Sequence, residues 1–248
     1  MALPDSIVFE RAGLEAWPGI EVEWDGTWVR RAANGYTKRA NSLQCFDPAD
    51  NADAVARLAT GRDWFAARGI MPVVRTTPLQ SPALTMALDA QGWRTIDPSH
   101  LYAMPLSATT PDSDARTFEL LDPQFLSAQQ TLQGHGDDVM KRMRALLSAM
   151  SVPASGIVVY RNEQPVAAGL AAIADGIVLT GNVITSPAHR RQGLGAAMMR
   201  TIHAWAHANG AGIAALNVQA DNPAGKALYA SLGYTHQYDY VYRIPRDA

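Results

Sequence analysis

Cysteine is nearly absent. Cys45 is the only one in 248 residues, which excludes an internal disulfide framework and suits a reducing, cytoplasmic setting. Long apolar runs are missing too. No stretch approaches the roughly 20 apolar residues that a spanning helix needs. The opening MALPDSIVFERAG carries acidic residues and no apolar core of signal length. No membrane partner is expected, and a soluble, cytoplasmic protein is. Charge of one sign is also missing. A formal net charge of -2 gives no bulk attraction for nucleic acid or an anionic bilayer, so neither is expected as a partner. What is plentiful is apolar content: 48% hydrophobic against 18% charged residues supports a sizeable core and argues against disorder. The length suits one large domain or two of ordinary size.

Two stretches near the C-terminus carry the chemistry. The first is RRQGLGAAM at 190–198, the second NPAGKALYASLGY at 222–234. An opening helix leaves its first amides unpartnered and its N-terminus partially positive, which together bind phosphate oxygens. Gly193 and Gly195 carry no side chain, so a diphosphate can come close to the backbone. Arg190 and Arg191 add positive charge at the rim. A dinucleotide fingerprint is not met, because the third glycine is missing. The Lys-Ser/Thr ending of a triphosphate loop is missing as well.

The two stretches resemble the GNAT superfamily of acetyl-CoA-dependent N-acetyltransferases. Arg190, Gly193 and Gly195 fill its pyrophosphate signature. Asn222, Ala224, Leu228-Tyr229 and Leu232-Gly233-Tyr234 fill its second signature. The resemblance is good over about 117–245 and weak over 17–106. It implies a mixed-sheet α/β fold with acetyl-CoA as co-substrate and no metal. It further implies main-chain contacts to the pantetheine arm from Val183, Ile184 and Thr185, and a pyrophosphate held by the amides of Gln192, Gly193, Leu194, Gly195 and Ala196. Asn222 is a helix cap and a second cofactor contact. Tyr229 is implied as the acid that protonates the departing thiolate: its reference pKa near 10 lies a little above a thiol's, roughly 8.5. The implied reaction is acetyl transfer to a primary amine by direct attack in a ternary complex. A non-catalytic acyl-CoA-sensing module is the rival reading. The acceptor, a small molecule or a peptide amine, is not legible, and a homodimer is left open. Glu119, His135, Asp137 and Asp221 are alternatives for a general base, and a water relay is another.

The chain also reads as a repeat. Shifted by 141 positions, 33–92 overlies 174–233 without a gap. The coincidences fall on structural punctuation. Asn34-Gly35 meets Asp175-Gly176, Trp64 meets Trp205, Gly69 meets Gly210, and Ser81-Pro82-Ala83 meets Asn222-Pro223-Ala224. Tandem GNAT-like halves are therefore expected: 1–107, a linker at 108–116 within the Ser/Thr/Pro/Asp-rich 106–116, and 117–248. The first half lacks the phosphate signature. Ala49, Ala52 and Ala54 stand at the places of Arg190, Gly193 and Gly195, Leu88 at that of Tyr229, and Asp50 and Asp53 bring the wrong charge. This half is expected not to bind CoA but to shape the acceptor pocket. NGYTKRANSL at 34–43 alternates like a strand with Thr37, Arg39 and Asn41 on one face, and resembles a segment of some tandem GNAT proteins. Arg39, Asn41 and, in the break between two helices, His135 are the expected acceptor contacts.

In the second half the pattern predicts strands at 118–121, 156–161, 165–173, 177–185, 212–218 and 238–244. It predicts helices at 123–133, 137–150 and 193–208, and one from Asn222 to Gly233.

Overall fold

The computed structural model describes residues 2–247. The first half runs α1 (Ser6–Ala16), β1 (Glu21–Asp25), β2 (Trp28–Ala32), β3 (Leu43–Cys45), α2 (Ala54–Ala66), β4 (Val74–Thr76), α3 (Pro82–Ala90) and β5 (Arg94–Pro105). The second runs β6 (Ala115–Phe118), α4 (Pro123–Gln133), α5 (Asp137–Ser148), β7 (Ala154–Arg161), β8 (Gln164–Ala174), β9 (Ile177–Thr185), α6 (Leu194–Ala208), β10 (Ile213–Gln219), α7 (Pro223–Ser231) and β11 (Thr235–Ile244). Every helix and strand expected in the second half is present, with one shift. The strand expected at 118–121 lies at Ala115–Phe118, so Ala115 and Arg116 pair in the sheet instead of ending a linker.

All the strands share one mixed sheet in the order β1-β2-β3-β4-β11-β5-β10-β9-β8-β7-β6. The pairs β3–β4 and β9–β10 are parallel and the rest antiparallel. Two strands cross over within this order. β5 follows α3 yet pairs with β10, and β11 follows α7 yet pairs with β4. The two exchanged strands then pair with each other at the middle of the sheet.

Local chemistry explains the elements. α3 and α7 start alike. Ser81 Oγ accepts the Leu84 amide at 3.3 Å and Asn222 Oδ1 accepts the Gly225 amide at 2.8 Å, each with proline at the next position. The turn signals also coincide in conformation: Asn34-Gly35 has φ of 52° and 75°, and Asp175-Gly176 has 50° and 71°. After the first of these turns the chain departs from expectation. Residues 34–43 are not a strand. Asn41 Oδ1 accepts the amides of Ala33 and Gly35, and its Nδ2 donates to the carbonyls of Tyr36 and Thr37. These four bonds fold the segment into a compact loop, with a short 3-10 turn at Lys38–Ala40. Only Leu43 onward joins the sheet.

One apolar layer covers each face. α1, α4 and α5 pack on one side through Phe9, Phe125, Leu126, Met143 and Leu146. α6 and α7 pack on the other through Met198, Ile202 and Tyr229, with α2 and α3 continuing along the first half through Leu58, Phe65, Leu84 and Leu88. β8 is buried on both faces, and its alanines let helices approach from either side. No helix among the described residues is long and apolar enough to cross a membrane.

One buried titratable pair yields a stability prediction. His203 of α6 is held 2.8 Å from the Tyr234 hydroxyl, and burial pushes its pKa down to about 4 from 6.5. The neutral ring shares a hydrogen bond with the Tyr234 hydroxyl. Because the folded pKa is depressed, the unfolded chain takes up the proton first as pH falls. Stability from this site is complete above pH 6.5 and is lost between there and about 4. Equilibrium denaturation of the His203→Gln variant is expected to show a shallower acid loss over that window, by up to about 3 kcal/mol. Identical slopes for both proteins would refute a buried neutral His203.

Candidate active site

The site grows from the place where two parallel strands part. β9 and β10 pair only through Ile213–Leu216 against Ile177–Thr180. Beyond Thr180, β9 carries a bulge, with Asn182 at φ 50° and a register shift against β8. The bulge turns the strand away from β10, so the edges of Val183, Ile184 and Thr185 that face β10 have no ladder partner.

The chain then passes through a 3-10 turn at Pro187–His189 and enters α6. Arg191 and Gly193 both have positive φ, 60° and 78°. Gly193 is the helix cap and offers no capping side chain. Among the described residues, no protein group accepts from the amides of residues 191–196; the first bond of this segment is from the Ala197 amide to the Gly193 carbonyl at 2.9 Å. A run of free amides at a positive helix end is an anion site. The two glycines serve this in different ways. A side chain at Gly193 would meet open space, so its requirement is the left-handed backbone; one at Gly195 would meet Leu228 Cδ2 at 2.9 Å, so its requirement is the close packing of α6 on α7.

A cleft of about 760 Å³ joins these features. Val183, Ile184, Thr185, Arg190, Arg191, Gly193, Leu194, Gly195, Ala196, Asn222 and Tyr229 all line it. Gln192 is exposed and does not. His189 lines it as well, and sequence reasoning missed it although it directly precedes Arg190. Tyr229 is buried against Tyr234, with ring centroids 5.9 Å apart, and burial raises its pKa above 10.0. Its hydroxyl makes no hydrogen bond with the protein among the described residues.

The other face of the parting carries the loop of the first half. Asn182 Nδ2 donates to the Tyr36 hydroxyl at 3.2 Å, and Gln129 Nε2 donates to the Asn182 carbonyl at 3.2 Å. Tyr36 packs edge-on to His135 at 6.5 Å and beside Trp17 at 6.1 Å. The Arg39 guanidinium lies over Trp17 at 5.5 Å. Next to this loop, a second cleft of about 320 Å³ is lined by Thr37, Lys38 and Arg39 together with Asn217, Tyr240 and Tyr242. Lys38 pairs with Asp97 at its rim, 2.8 Å away. Asn217 Oδ1 is buried there without a hydrogen-bond partner.

The three expected acceptor residues therefore separate. Arg39 lines the cleft. His135 does not: it packs on Tyr36, and neither residue lines the cleft. Asn41 is buried with both amide atoms committed to the loop, so it holds the loop and has no donor or acceptor left for a ligand. Glu119, His135, Asp137 and Asp221 line neither cleft.

The corresponding stretch of the first half keeps a cleft of about 690 Å³, lined by Asp53, Ala54, Ala83 and Met86, and its loop carries an ion pair. Asp50 accepts from Arg57 at 2.7 Å and from the Thr27 amide and hydroxyl at 3.1 and 2.7 Å. Hydrogen bonding from Arg57 holds its pKa at about 2. Arg57 also bonds Asp25 and lies over Trp28 at 4.1 Å.

A parted strand pair, an open helix start and a tyrosine in one cleft are the attributes of an acyl-CoA N-acyltransferase, and the similarities of the chain agree. The family described as "Probable histone acetyltransferase Rv0428c C-terminal" matches residues 7–243. The chain belongs to this family and, with it, to the GNAT superfamily of N-acetyltransferases; it is an acyltransferase. It is 24% identical over 243 residues to "Uncharacterized N-acetyltransferase YobR" of Bacillus subtilis (strain 168), covering 96% of this chain and 97% of that protein. Among solved structures, a "GCN5-related N-acetyltransferase from Kribbella flavida" superposes with a TM-score of 0.75 at 21% identity, covering 99% and 97% of the two chains. A "Tandem GNAT protein from the clavulanic acid biosynthesis pathway" superposes with a TM-score of 0.64 at 11% identity, covering 98% and 88%.

Proposed function

We propose that the α6–α7 cleft binds acetyl-CoA and that the acetyl group passes to a primary amine entering from the opposite face of the sheet. The observation that carries this reading is the run of unpartnered amides at 191–196, joined by one cleft to the parted β9 edge and to Tyr229. The amides and Arg190 and Arg191 would hold the pyrophosphate. The free edge from Val183 to Thr185 would pair with the amides of the pantetheine arm. Asn222 caps α7 and lies at the rim for a further contact.

The amine would enter through the cleft of Lys38, Arg39, Tyr240 and Tyr242. The unpartnered Asn217 Oδ1 is placed to accept an amine N–H. Attack is direct, in a ternary complex. The amine nitrogen bonds to the thioester carbon, the carbon–sulfur bond breaks, and Tyr229 gives its proton to the departing sulfur. A hydroxyl whose pKa burial keeps above 10.0 is protonated at neutral pH and is a suitable donor to a thiolate. Asp97 in the acceptor cleft is paired with Lys38, and His189 in the cofactor cleft sets its Nδ1 3.3 Å from Ser186 Oγ; the amine proton would leave through water. Cys45 is buried in the first half, away from both clefts, so it does not serve as an acetyl carrier. The first half is a tandem copy that has lost CoA binding. Its loop at 34–41 forms one wall of the acceptor cleft.

Thermal protection by CoA tests the cofactor assignment. Gly193→Val places a β-branched residue at φ 78°, a strain of about 1–3 kcal/mol that the loop relieves by moving its amides. The affinity for CoA is expected to fall at least about tenfold, and the shift in melting temperature to shrink accordingly. A folded variant with full protection would refute the phosphate assignment. Thiol release against a panel of amines and peptides identifies the acceptor.

A further inference from the structure

Three metal-ligating side chains meet on the middle of the sheet, outside the lining of both clefts. His100 of β5 sets its Nδ1 2.6 Å from Asp239 Oδ1, and His236 sets its Nε2 2.6 Å from the same oxygen. One ligand atom from each lies within 4.8 Å of the other two. The two imidazole rings are 5.3 Å apart and steeply inclined at 76°. Tyr102 closes one side, with its ring 6.1 Å from that of His100 and 5.8 Å from that of His236.

The backbone is shaped for this meeting. His100 and Asp239 stand directly opposite in the β5–β11 ladder, and His236 stands opposite Tyr102. Residues three apart on a regular strand point to opposite faces. The register shift between His236 and Tyr238 inserts Gln237 and brings His236 onto the face of Asp239. The neighbouring Tyr238 and Tyr240 point to the other face, into the core under α1. Central strands hold ligands more rigidly than loops do.

We infer that His100, His236 and Asp239 form a binding site for a zinc-class divalent cation that clamps the two exchanged strands together. Two imidazoles and one carboxylate are the donor set that such ions select. Bonds of about 2.0–2.1 Å require ligand atoms a little over 3 Å apart, so Asp239 has to swing outward by about 1 Å. It is free to do so, being 71% exposed. The open side leaves a fourth position for water. Because β5 comes from the first half and β11 from the second, the ion would tie the halves where their strands cross over. The alternative is a hydrogen-bonded His–Asp–His cluster with no ion.

The test uses tag-free, full-length protein stripped with EDTA and titrated with zinc chloride by calorimetry, with melting curves alongside. One ion per chain and a raised melting temperature are expected. His236→Ala is expected to weaken binding at least about tenfold. The double variant His100→Ala/His236→Ala should bind none, while His207→Ala, at an exposed position on α6, should bind as wild type. If the double variant folds poorly, Asp239→Asn keeps the shape of the carboxylate and should show the same loss. Absence of saturable uptake by the wild type, or uptake that survives in Asp239→Asn and in the double variant, overturns the inference.

Discussion

Replacing Tyr229 by phenylalanine is expected to lower the turnover of acetyl-CoA by roughly 10²-fold or more, the usual contribution of a positioned general acid. Binding of CoA should stay within about twofold. The separation arises because ring and hydroxyl have different surroundings. The ring packs edge-on against Tyr234 at 5.9 Å, and phenylalanine preserves that contact and the wall of the cleft. Only the hydroxyl is lost, and it has no protein hydrogen bond to leave unsatisfied. A structural role would therefore appear as little change in either quantity. A catalytic role would appear as a fall in kcat with KM for acetyl-CoA nearly constant, since the interaction is made only as the sulfur takes on charge. Thiol release and the CoA-induced shift in melting temperature, measured on the same preparation, separate the two. An unchanged kcat would mean that the thiolate leaves with a proton from water, and Tyr229 would be a packing residue.

The second half was legible because several local signals agree there. Asn222-Pro223 and Asp122-Pro123 start helices, Gly134 ends one, and buried residues recur at helical spacing in α5 and α6. The cleft residues are legible for the same reason: they sit on one strand–turn–helix unit and on the helix that packs on it. Features that depend on distant residues were not legible. The crossing of β5 and β11 is decided by pairing between strands far apart in sequence, which no periodicity records. The segment 34–43 alternates like a strand, but one side chain, Asn41, bonds four backbone groups and overrides the pattern. The role of Asp50 was visible only as charge of the wrong sign. Its partner Arg57 is on a different element, and so the ion pair was not. His100, His236 and Asp239 escape any motif, because their meeting needs both the strand exchange and the one-residue bulge at Gln237.

The same exchange places a buried ion pair where it joins both halves, and removing its anion should have the largest effect on stability. Glu10 of α1 accepts from Arg75 of β4 at 2.7 and 3.1 Å, from Gln44 of β3 at 2.7 Å and from the Tyr238 hydroxyl of β11 at 2.6 Å. Arg75 in turn lies over Tyr240 at 3.7 Å. Glu10 and Arg75 also border the small space shared by Arg31, Arg39 and Asn217, so the pair lies beneath the proposed acceptor cleft. Burial pushes the Glu10 carboxyl up, but the charge of Arg75 and the hydrogen bonds from Arg75, Tyr238 and Gln44 outweigh it and leave the pKa below 4.5. With a depressed folded pKa, the stability it contributes is complete above about pH 4.5 and is lost as pH falls through the folded value. Glu10→Ala strands a buried guanidinium and is expected to destabilise the protein by about 3–5 kcal/mol in denaturant titrations at neutral pH. The double variant Glu10→Met/Arg75→Met removes both charges and should recover at least about half of that loss, because the penalty comes from the unpaired partner more than from the missing attraction. A loss below about 1 kcal/mol for Glu10→Ala would show that water reaches Arg75 and that the pair does not hold the exchanged strand against α1.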